Sequence, residues 1–279
     1  MVESTQPSPE KLALLEPWLR RWRLEPDGDA FTTKFFSVLM PVRQDGAPAM
    51  LKIAQGQEER EGAYLMEWWR GDGAARVLAH ETPALLLERA MGEGSLAAMA
   101  RGGRDDEASR ILTAAVARLH APRDLSRPTM LAPLPVWFRQ LEPAAHRHGG
   151  VLAKSAAAAR ALLASPREET VLHGDIHHEN VLDFGPRGWL AIDPKGLFGE
   201  RAYDYLNLFC NPDIETAATP GRLRRQLGVV AQAAALEPAR LLQWILAFAG
   251  LSSAWTLDDG GDAALTLAVA QIAAAEAQA

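Results

Sequence analysis

The segment with the greatest capacity for chemistry runs from Val171 to Pro194. It places three histidines, four acidic residues and one asparagine between two short apolar runs. The runs Val181–Phe184 and Trp189–Ile192 are separated by Gly185-Pro-Arg-Gly188, a strong turn signal, so they predict a β-hairpin. Strand pairing in such a hairpin brings the polar residues at its open end close together.

Three polar residues of this segment form a set suited to phosphoryl transfer. If the turn is centred between Pro186 and Arg187, Asn180 lies opposite Asp193, and opposed residues have Cβ atoms about 4.5–5.5 Å apart. An amide oxygen and a carboxylate are ligands that Mg²⁺ accepts. Asp175 lies in a polar loop that must return to the same end of the hairpin. The order Asp, Asn, Asp matches a template in which the first residue orients an acceptor hydroxyl and the others hold a metal.

Two other interpretations compete for the same residues. A zinc site could use His173, His177 and His178, but adjacent histidines point in different directions on most backbones, which suits the fixed geometry of zinc poorly. A polar loop without chemistry is the second alternative, but such loops rarely carry a matching asparagine and aspartate across a turn. The pattern favours phosphoryl transfer over both.

Composition restricts the class of protein. The chain has 279 residues, 48% of them hydrophobic, which is enough for one bilobal unit or two small domains. A net charge of -6 argues against nucleic acid as a partner. Cys210 is the only cysteine, which excludes disulfide frameworks and cysteine-rich zinc sites.

The first ten residues lack the layout of a signal peptide, and residues 241–255 are too short and too interrupted to span a membrane. We expect a cytoplasmic protein without a membrane partner, as a monomer or a weak dimer.

Short apolar runs predict a sheet in the first third of the chain. An opening helix is expected from Glu10 to Arg23, followed by strands at Phe31–Val42, Ala49–Ala54 and Ala84–Ala90. A helix is expected over Gln57–Arg70, between the second and third strands.

From Gly94 onward the pattern becomes helical. Helices are predicted over Glu107–His120, with Asp105 and Asp106 as caps, over Lys154–Ala164, and in two or three segments of residues 221–279. Residues 241–255 read as a buried core helix, and residues 171–194 as the single strand-like interruption. We therefore predict an α+β fold, with a small antiparallel-sheet lobe at residues 1–90 and a larger helical lobe at residues 91–279.

The motifs of the chain resemble a known family. His173-Gly-Asp-Ile-His-His-Glu-Asn180 fits the H-G-D-x-H-x-x-N signature of the aminoglycoside phosphotransferases, which have a protein-kinase-like fold. The stretch Trp189–Asp204, the pair Asn211-Pro212 and Leu251-Ser-Ser-Ala-Trp255 resemble the narrower branch of streptomycin 6-kinases and hydroxyurea phosphotransferases. The similarity extends from about Phe31 to Gln271. It implies a bilobal kinase that uses ATP and Mg²⁺.

The resemblance assigns roles around the central motif. It implies that Asp175 is the catalytic acid/base or hydroxyl-orienting residue and that Asn180 and Asp193 are magnesium ligands. It also implies structural support of the catalytic loop by His173 and by Asp204, which would bind loop amides.

Lys52 lies in an apolar strand, where an unpaired ammonium group would be costly to bury. The resemblance implies that it contacts the α- and β-phosphates and pairs with a helix glutamate. Glu58, Glu59 and Glu61 compete for that role, and we prefer Glu61 because it lies one turn before the apolar face of the helix. The alternative is an exposed lysine on an edge strand.

The chain around Glu88, Arg89 and Ala90 would form the interlobe hinge, whose backbone groups bind adenine. The stretch Ala84–Ala97 also fits a G-x-G-x-x-A dinucleotide fingerprint, but helices follow it where a second parallel strand is required.

The phosphate-binding residues depart from protein kinases. Residues 31–37 contain no glycine, so backbone amides and the hydroxyls of Thr32, Thr33 or Ser37 would contact the phosphates. Lys195 is a further candidate for contact with the phosphates. The equal alternative is that Lys195 is an exposed loop residue without such a contact.

The resemblance implies that the acceptor is a small molecule with a hydroxyl group, and a polycationic aminoglycoside would need an acidic pocket. The candidates are Glu200, Asp213, Asp258, Asp259 and Asp262, with Trp255 as a wall. Streptomycin is favoured by resemblance, followed by hydroxyurea or another metabolite. A catalytically inactive nucleotide-binding module is the alternative from a different class.

Overall fold

The structure, a computed structural model, describes residues 6–33 and 37–278. The helices are α1 Pro9–Ala13, α2 Glu16–Arg21, α3 Gln57–Trp69, α4 Leu96–Arg101, α5 Asp105–Leu119, α6 Leu134–Trp137, α7 Leu141–His148, α8 Gly150–Leu163, α9 Ile214–Ala217, α10 Arg222–Ala234, α11 Pro238–Asp258 and α12 Ala264–Glu276. The strands are β1 Leu24–Pro26, β2 Phe31–Thr32, β3 Val38–Gln44, β4 Ala47–Ile53, β5 Val77–Glu81, β6 Ala84–Glu88, β7 Ala132–Pro133, β8 Glu169–Leu172, β9 Val181–Asp183, β10 Trp189–Ala191 and β11 Leu197–Glu200. Short 3₁₀ helices are Phe138–Gln140, Gly185–Arg187, Arg201–Tyr205 and Asn207–Cys210.

The chain divides into two compact units. The first contains residues 1–93 together with residues 183–195, and the second contains residues 94–182 and 196–279. The sequence placed the division at residue 90 and grouped residues 183–195 with the helical part. The difference arises because the hairpin strand β10 and the segment after it make their tertiary contacts with the first unit: Ala191 bonds through its backbone to residues 73 and 75.

The first unit is built on an antiparallel sheet with strand order β1-β3-β4-β6-β5, to which β2 adds by pairing with β3. A tight turn at Asp45 and Gly46, both with positive φ, connects β3 and β4. The core of this unit contains Val38, Leu51 and Ile53, which are almost fully buried. Because β4 lies between β3 and β6, both of its edges are hydrogen-bonded, and the alternative of Lys52 on an edge strand is wrong.

Several predictions for this unit need correction. The opening helix is two short helices, and Pro17, which cannot donate to an earlier carbonyl, lies in the first turn of α2. The strand predicted over residues 31–42 is two strands, β2 and β3, and residues 34–36 between them lie outside the described residues. Strands β1 and β5 were not predicted because both are short and carry polar residues. The helix predicted from Gln57 is confirmed.

The second unit is mainly helical, and α11 is its central element. Leu241, Trp244, Ile245 and Leu251 of this helix are buried, as predicted for a core helix. Helix α5 begins at Asp105, so this residue is not the cap that the sequence suggested. Its buried carboxylate instead accepts two hydrogen bonds from the guanidinium of Arg222, at 2.7 and 3.0 Å.

A three-stranded sheet accompanies the helices of the second unit. Strand β11 pairs in antiparallel orientation with β8 and in parallel orientation with β7. The prediction of a single strand-like interruption in this half was therefore wrong. These strands have two to four residues each, and pairings between residues so distant in sequence leave no local pattern. Strand β8 ends at Leu172, so it positions the histidine-rich loop that follows.

The hairpin predicted from the turn signal is confirmed. Strands β9 and β10 pair, and the 3₁₀ turn between them is closed by a 2.9 Å hydrogen bond from Phe184 N to Gly188 O. The proposed register, with Asn180 opposite Asp193, stays a prediction. Among the described residues, no helix has the length and apolar character needed to cross a membrane.

Candidate active site

The loop after β8 is fixed by buried hydrogen bonds. Asp204, fully buried, accepts from the backbone N–H of His173 at 2.9 Å and from that of Gly174 at 2.7 Å. His120 Nε2 lies 2.8 Å from the same carboxylate. His173 is also fully buried, and its Nδ1 accepts from the backbone N–H of Asp175 at 3.2 Å. These contacts hold the backbone that precedes the Asp175 carboxylate.

The Asp175 carboxylate lies between two side-chain amides. Asn207 Nδ2 donates to Oδ1 at 2.6 Å. Asn180 Nδ2 donates to Oδ2 at 3.3 Å and to the Asp175 carbonyl at 2.9 Å. An ionised carboxylate only accepts, so the Asn180 amide must present its nitrogen here. Its oxygen, a hard ligand, is thereby directed away from Asp175 and fits coordination of a divalent cation.

The histidines of this loop are not grouped as a zinc site requires. His178 is buried, and burial together with the nearby positive charge of Arg222 lowers its pKa to about 3, so its imidazole is neutral at neutral pH. His177 Nδ1 accepts from the backbone N–H of Glu179 at 3.2 Å. Within residues 6–33 and 37–278, no group of three or more His, Cys, Asp or Glu residues has an arrangement that could hold a metal.

In the first unit, Lys52 forms a buried ionic triad. Its Nζ lies 2.5 Å from Asp193 Oδ1 and 3.1 Å from Glu59 Oε1. Burial acts to lower the pKa of the Lys52 ammonium, but the negative charges of Asp193 and Glu59 outweigh it, so the pKa is raised. The lysine is thus charged at neutral pH and has two anionic partners.

The preference for Glu61 as the partner of Lys52 was wrong. Glu59 is the third residue of α3, where a side chain reaches back over the helix N-terminus and towards the preceding strand. Two residues later the helix has rotated by about 200°, so Glu61 faces outward. There it accepts a hydrogen bond from Gln57 Nε2 at 2.8 Å.

A phosphate contact by Ser37 stays a prediction, but the side chain already has a protein partner. Its hydroxyl donates to Glu59 Oε2 at 2.5 Å, and the side chain is fully buried, so it orients the glutamate. The same oxygen accepts from the backbone N–H groups of Gln55 and Gly56, both at 3.3 Å. Phosphate contacts by Thr32, Thr33 and Lys195 stay predictions; Thr32 is buried, whereas Thr33 and Lys195 are half-buried.

The backbone after Asp193 packs closely on α3. Asp193 has a left-handed conformation, with φ 60. At Gly62 of α3, an added Cβ would overlap the carbonyl oxygen of Pro194. The glycine therefore lets the helix that carries Glu59 approach the segment that carries Asp193.

We expect Gly62→Ala to destabilise the protein and to lower kcat, because the clash is with backbone and must displace the Asp193 segment. Gly228→Ala in α10 is the matched control, since an added Cβ meets nothing within 4 Å there. Alanine is favoured over glycine within a helix by about 1 kcal/mol, so this control should gain stability. Urea unfolding and steady-state kinetics measure both effects. Equal gains in the two variants would contradict the packing described for Gly62.

The segment after β6 uses its side chains structurally. Glu88 forms an ion pair with Arg187 and accepts from the backbone N–H of Arg76 at 2.6 Å. The Glu88 N–H donates to Arg76 O at 3.0 Å, so it is already engaged. Arg89 pairs with Asp27 at 2.5 Å. Adenine recognition by the backbone of Glu88, Arg89 and Ala90 stays a prediction.

The dinucleotide alternative is not supported. The described strand pairs of the first unit's six-stranded sheet are antiparallel, and β6 leads into helices α4 and α5. A dinucleotide site requires parallel strands with a crossover helix. Gly92 instead permits close packing, because a Cβ there would overlap the carboxylate of Asp183.

Glu200, predicted as an acceptor ligand, has a carboxylate that is already hydrogen-bonded within the second unit. Its buried carboxylate accepts from Arg240 Nε at 2.7 Å, from Arg240 Nη2 at 2.6 Å and from Trp244 Nε1 at 2.8 Å. Burial acts to raise its pKa, but the hydrogen bonds from Arg240 and Trp244 outweigh it, and the pKa is lowered. An acid surrounded in this way stabilises the helical unit.

Removal of the Glu200 carboxylate, as in Glu200→Ala, should cost about 3 kcal/mol of unfolding free energy, because the largely buried guanidinium of Arg240 and the buried Trp244 N–H both lose their partner. Glu237→Ala is the control, since Glu237 forms an exposed pair with Arg167, and its loss should change stability by less than about 1 kcal/mol.

The stabilisation by Glu200 should also depend on pH. Because the pKa of Glu200 is lowered, its contribution to the free energy of unfolding is present above the ordinary glutamate pKa and is lost as the pH falls through the folded value. Urea unfolding at neutral and acidic pH tests both points, and equal losses in the two variants would argue against the buried network.

The remaining acceptor candidates lie in the second unit with varied surroundings. Asp213 caps α9 and pairs with Arg101 at 2.6 Å; partial burial opposes its charge, but hydrogen bonds from Thr216 and Arg101 lower its pKa to about 2. Asp258 pairs with Arg147, whereas Asp259 and Asp262 are exposed. Trp255 packs edge-on against Trp137, with ring centroids 5.2 Å apart. Acceptor binding by Asp213, Asp258, Asp259, Asp262 and Trp255 stays a prediction.

The sequence assigned no role at the site to two asparagines near Asp175. Asn207 contacts it directly, and Asn211 contacts Asn207. The spacing of four residues between two asparagines in a turn region was visible, but asparagine is common in turns. The signal was therefore too weak to assign a role.

A paired strand lysine, a hairpin aspartate and a loop bearing aspartate and asparagine, on an α+β fold, define the protein-kinase-like phosphotransferases. The model of the aminoglycoside/hydroxyurea antibiotic resistance kinases matches residues 21–260, and the chain belongs to this family. Streptomycin 3''-kinase of Klebsiella pneumoniae is 53% identical over 260 residues, covering 90% of this chain and 97% of that protein. Streptomycin 6-kinase of Streptomyces griseus is 33% identical, covering 95% and 88%. The crystal structure of a thermostable aminoglycoside phosphotransferase mutant matches with a TM-score of 0.64 at 18% identity, covering 95% and 99%. The protein is an ATP-dependent kinase.

Proposed function

We propose that the protein transfers the γ-phosphoryl group of ATP to the 3'' hydroxyl of streptomycin. The observation that carries this proposal is the 53% identity to a streptomycin 3''-kinase across 97% of that protein's length. The 6-kinase relative is 33% identical, which favours the 3'' position over the 6 position. The candidate catalytic residues Lys52, Asp175, Asn180 and Asp193 are all present.

The residues of each unit support separate parts of this reaction. Lys52, held by Glu59, carries the positive charge that would bind the phosphates of ATP. Asp175 would accept or orient the proton of the acceptor hydroxyl, so that the oxygen attacks the γ-phosphorus while the bond to the β-phosphate oxygen breaks.

The donor set also fits Mg²⁺. The Asn180 amide oxygen and the Asp193 carboxylate are hard oxygen ligands, and the orientation of the Asn180 amide leaves its oxygen to a cation. Bound Mg²⁺ would neutralise the charge that develops on the transferred group. We propose Asn180 and Asp193 as its protein ligands.

A coupled assay of ADP release tests the proposed function. With Mg-ATP, streptomycin should give saturable turnover well above the rate without acceptor, and hydroxyurea should give none. Turnover with hydroxyurea alone would assign the other activity of the family. Thermal stabilisation by nucleotide without turnover of any acceptor would favour the nucleotide-binding module instead.

A further inference from the structure

The amide of Asn207 has a single arrangement that satisfies its neighbours. Asn211 Nδ2 lies 2.9 Å from the Asn207 backbone oxygen and 3.0 Å from Asn207 Oδ1. A backbone carbonyl only accepts, so Asn211 must present its nitrogen, and Asn207 must present its oxygen in return. The nitrogen of Asn207 is then directed to Asp175 Oδ1, at 2.6 Å.

The local fold holds the backbone of Asn207 in place. Asn207 begins a 3₁₀ helix whose next three residues, Leu208, Phe209 and Cys210, are almost fully buried. Asn207 and Asn211 themselves are half-buried. Buried residues thus fix the turn, while the two polar side chains lie on the side of Asp175.

The hydrogen-bond donor to Asp175 Oδ1, the Asn207 amide, carries no charge. A lysine or arginine in place of Asn207 would neutralise the carboxylate, whereas a neutral amide restricts its rotation and leaves the negative charge in place. The other oxygen of Asp175 accepts the longer bond from Asn180, at 3.3 Å. The shorter bond from Asn207 is therefore the stronger restraint on the orientation of the carboxylate.

We propose that Asn207, oriented by Asn211, is a positioning residue that fixes the Asp175 carboxylate for its reaction with the acceptor hydroxyl. This inference rests on the proposed role of Asp175. Small displacements of a reacting group cost a large factor in rate, on the order of 10²-fold. Asn207 would therefore affect turnover without touching ATP.

Kinetics of three variants test this role. Asn207→Ala should lower kcat by roughly 10- to 100-fold with the KM for ATP within about twofold of wild type. Asn207→Asp should lose more, because it replaces the donor by a second carboxylate of nearly the same shape facing Asp175. Asn211→Ala, which keeps the direct bond but frees the amide to rotate, should lose less than Asn207→Ala. A kcat that is equal in Asn207→Ala and wild type would overturn the proposal.

A stability control separates positioning from folding. Val230→Ala removes buried volume from α10 and should lower the melting temperature without lowering kcat below that temperature. If Asn207→Ala and Val230→Ala lose kcat in the same proportion to stability, Asn207 is merely structural and the proposal fails.

Side-chain NMR makes the test independent of the acceptor. The Asn207 amide resonance, identified by its loss in Asn207→Ala, should shift in Asp175→Ala, because the hydrogen bond is removed. An unchanged resonance would overturn the proposed contact even if streptomycin is phosphorylated. A shifted resonance in an enzyme that does not phosphorylate streptomycin would instead support the contact and refute the proposed substrate.

Discussion

Replacement of Asp175 by asparagine should lower kcat roughly 10³-fold, while ATP still binds with near wild-type affinity. The substitution keeps the shape of the side chain but removes the group that accepts or orients the hydroxyl proton. It also places an amide where Asn207 and Asn180 now donate to a carboxylate. Steady-state kinetics with streptomycin and calorimetric titration with ATP measure the two effects separately.

Glu179→Gln is the matched control for this experiment. Glu179 is an acid of the same loop, and its backbone N–H donates to His177 Nδ1, a contact that glutamine would keep. We expect its kcat to stay within about threefold of wild type, because glutamine keeps the size and shape of this half-buried side chain. If Asp175→Asn retains full activity, the assignment of the catalytic aspartate is wrong.

Lys52→Met should combine a loss of activity with a loss of stability. Two carboxylates, Glu59 and Asp193, would remain next to a buried apolar side chain, and an uncompensated buried charge costs about 3–5 kcal/mol. The phosphates of ATP would also lose a positive partner, so kcat/KM for ATP should fall by at least about 10²-fold. Urea unfolding and initial-rate kinetics give both quantities.

The pH dependence of this stability difference has a defined sign. Because the pKa of Lys52 is raised, its contribution is fully present below the ordinary lysine value and is lost only as the pH rises through the folded value. The difference between wild type and Lys52→Met should therefore be constant from about pH 7 to about pH 9.

Glu59 and Glu61, both in α3, provide a matched pair of variants that tests the triad. Glu59→Gln should lower stability and activity, whereas Glu61→Gln should change both little, because Glu61 contacts only the exposed Gln57 in the described hydrogen bonds. The reverse order would restore the original preference for Glu61 and contradict the triad.

The sequence was most informative where structure is local. The hairpin of β9 and β10 followed from a turn signal between two apolar runs, and α3 and α11 followed from their apolar patterns. Glu61 was preferred over Glu59 because the choice between three glutamates depends on the exact start of the helix, which sequence places only within a few residues. The sequence did identify Lys52 as a lysine that needs a partner.

Contacts between residues far apart in the chain could not be predicted from the sequence. The pairing of β7, β11 and β8 joins residues far apart in the chain, and each strand is too short for a periodic pattern. Asn207 meets Asp175 across 32 residues, and no local rule connects them. Glu200 looked like an available acid because its partners Arg240 and Trp244 lie 40 and 44 residues later. Tertiary structure decides which polar residues remain for function.

The most direct measurement of the central claim is the position of phosphate on the product. Streptomycin incubated with the protein and Mg-ATP should gain one phosphoryl group by mass, and phosphorus–proton NMR correlation should connect that phosphorus to the proton at carbon 3''. A correlation to the proton at carbon 6, or streptomycin recovered unmodified under conditions in which the protein binds ATP, would contradict the account.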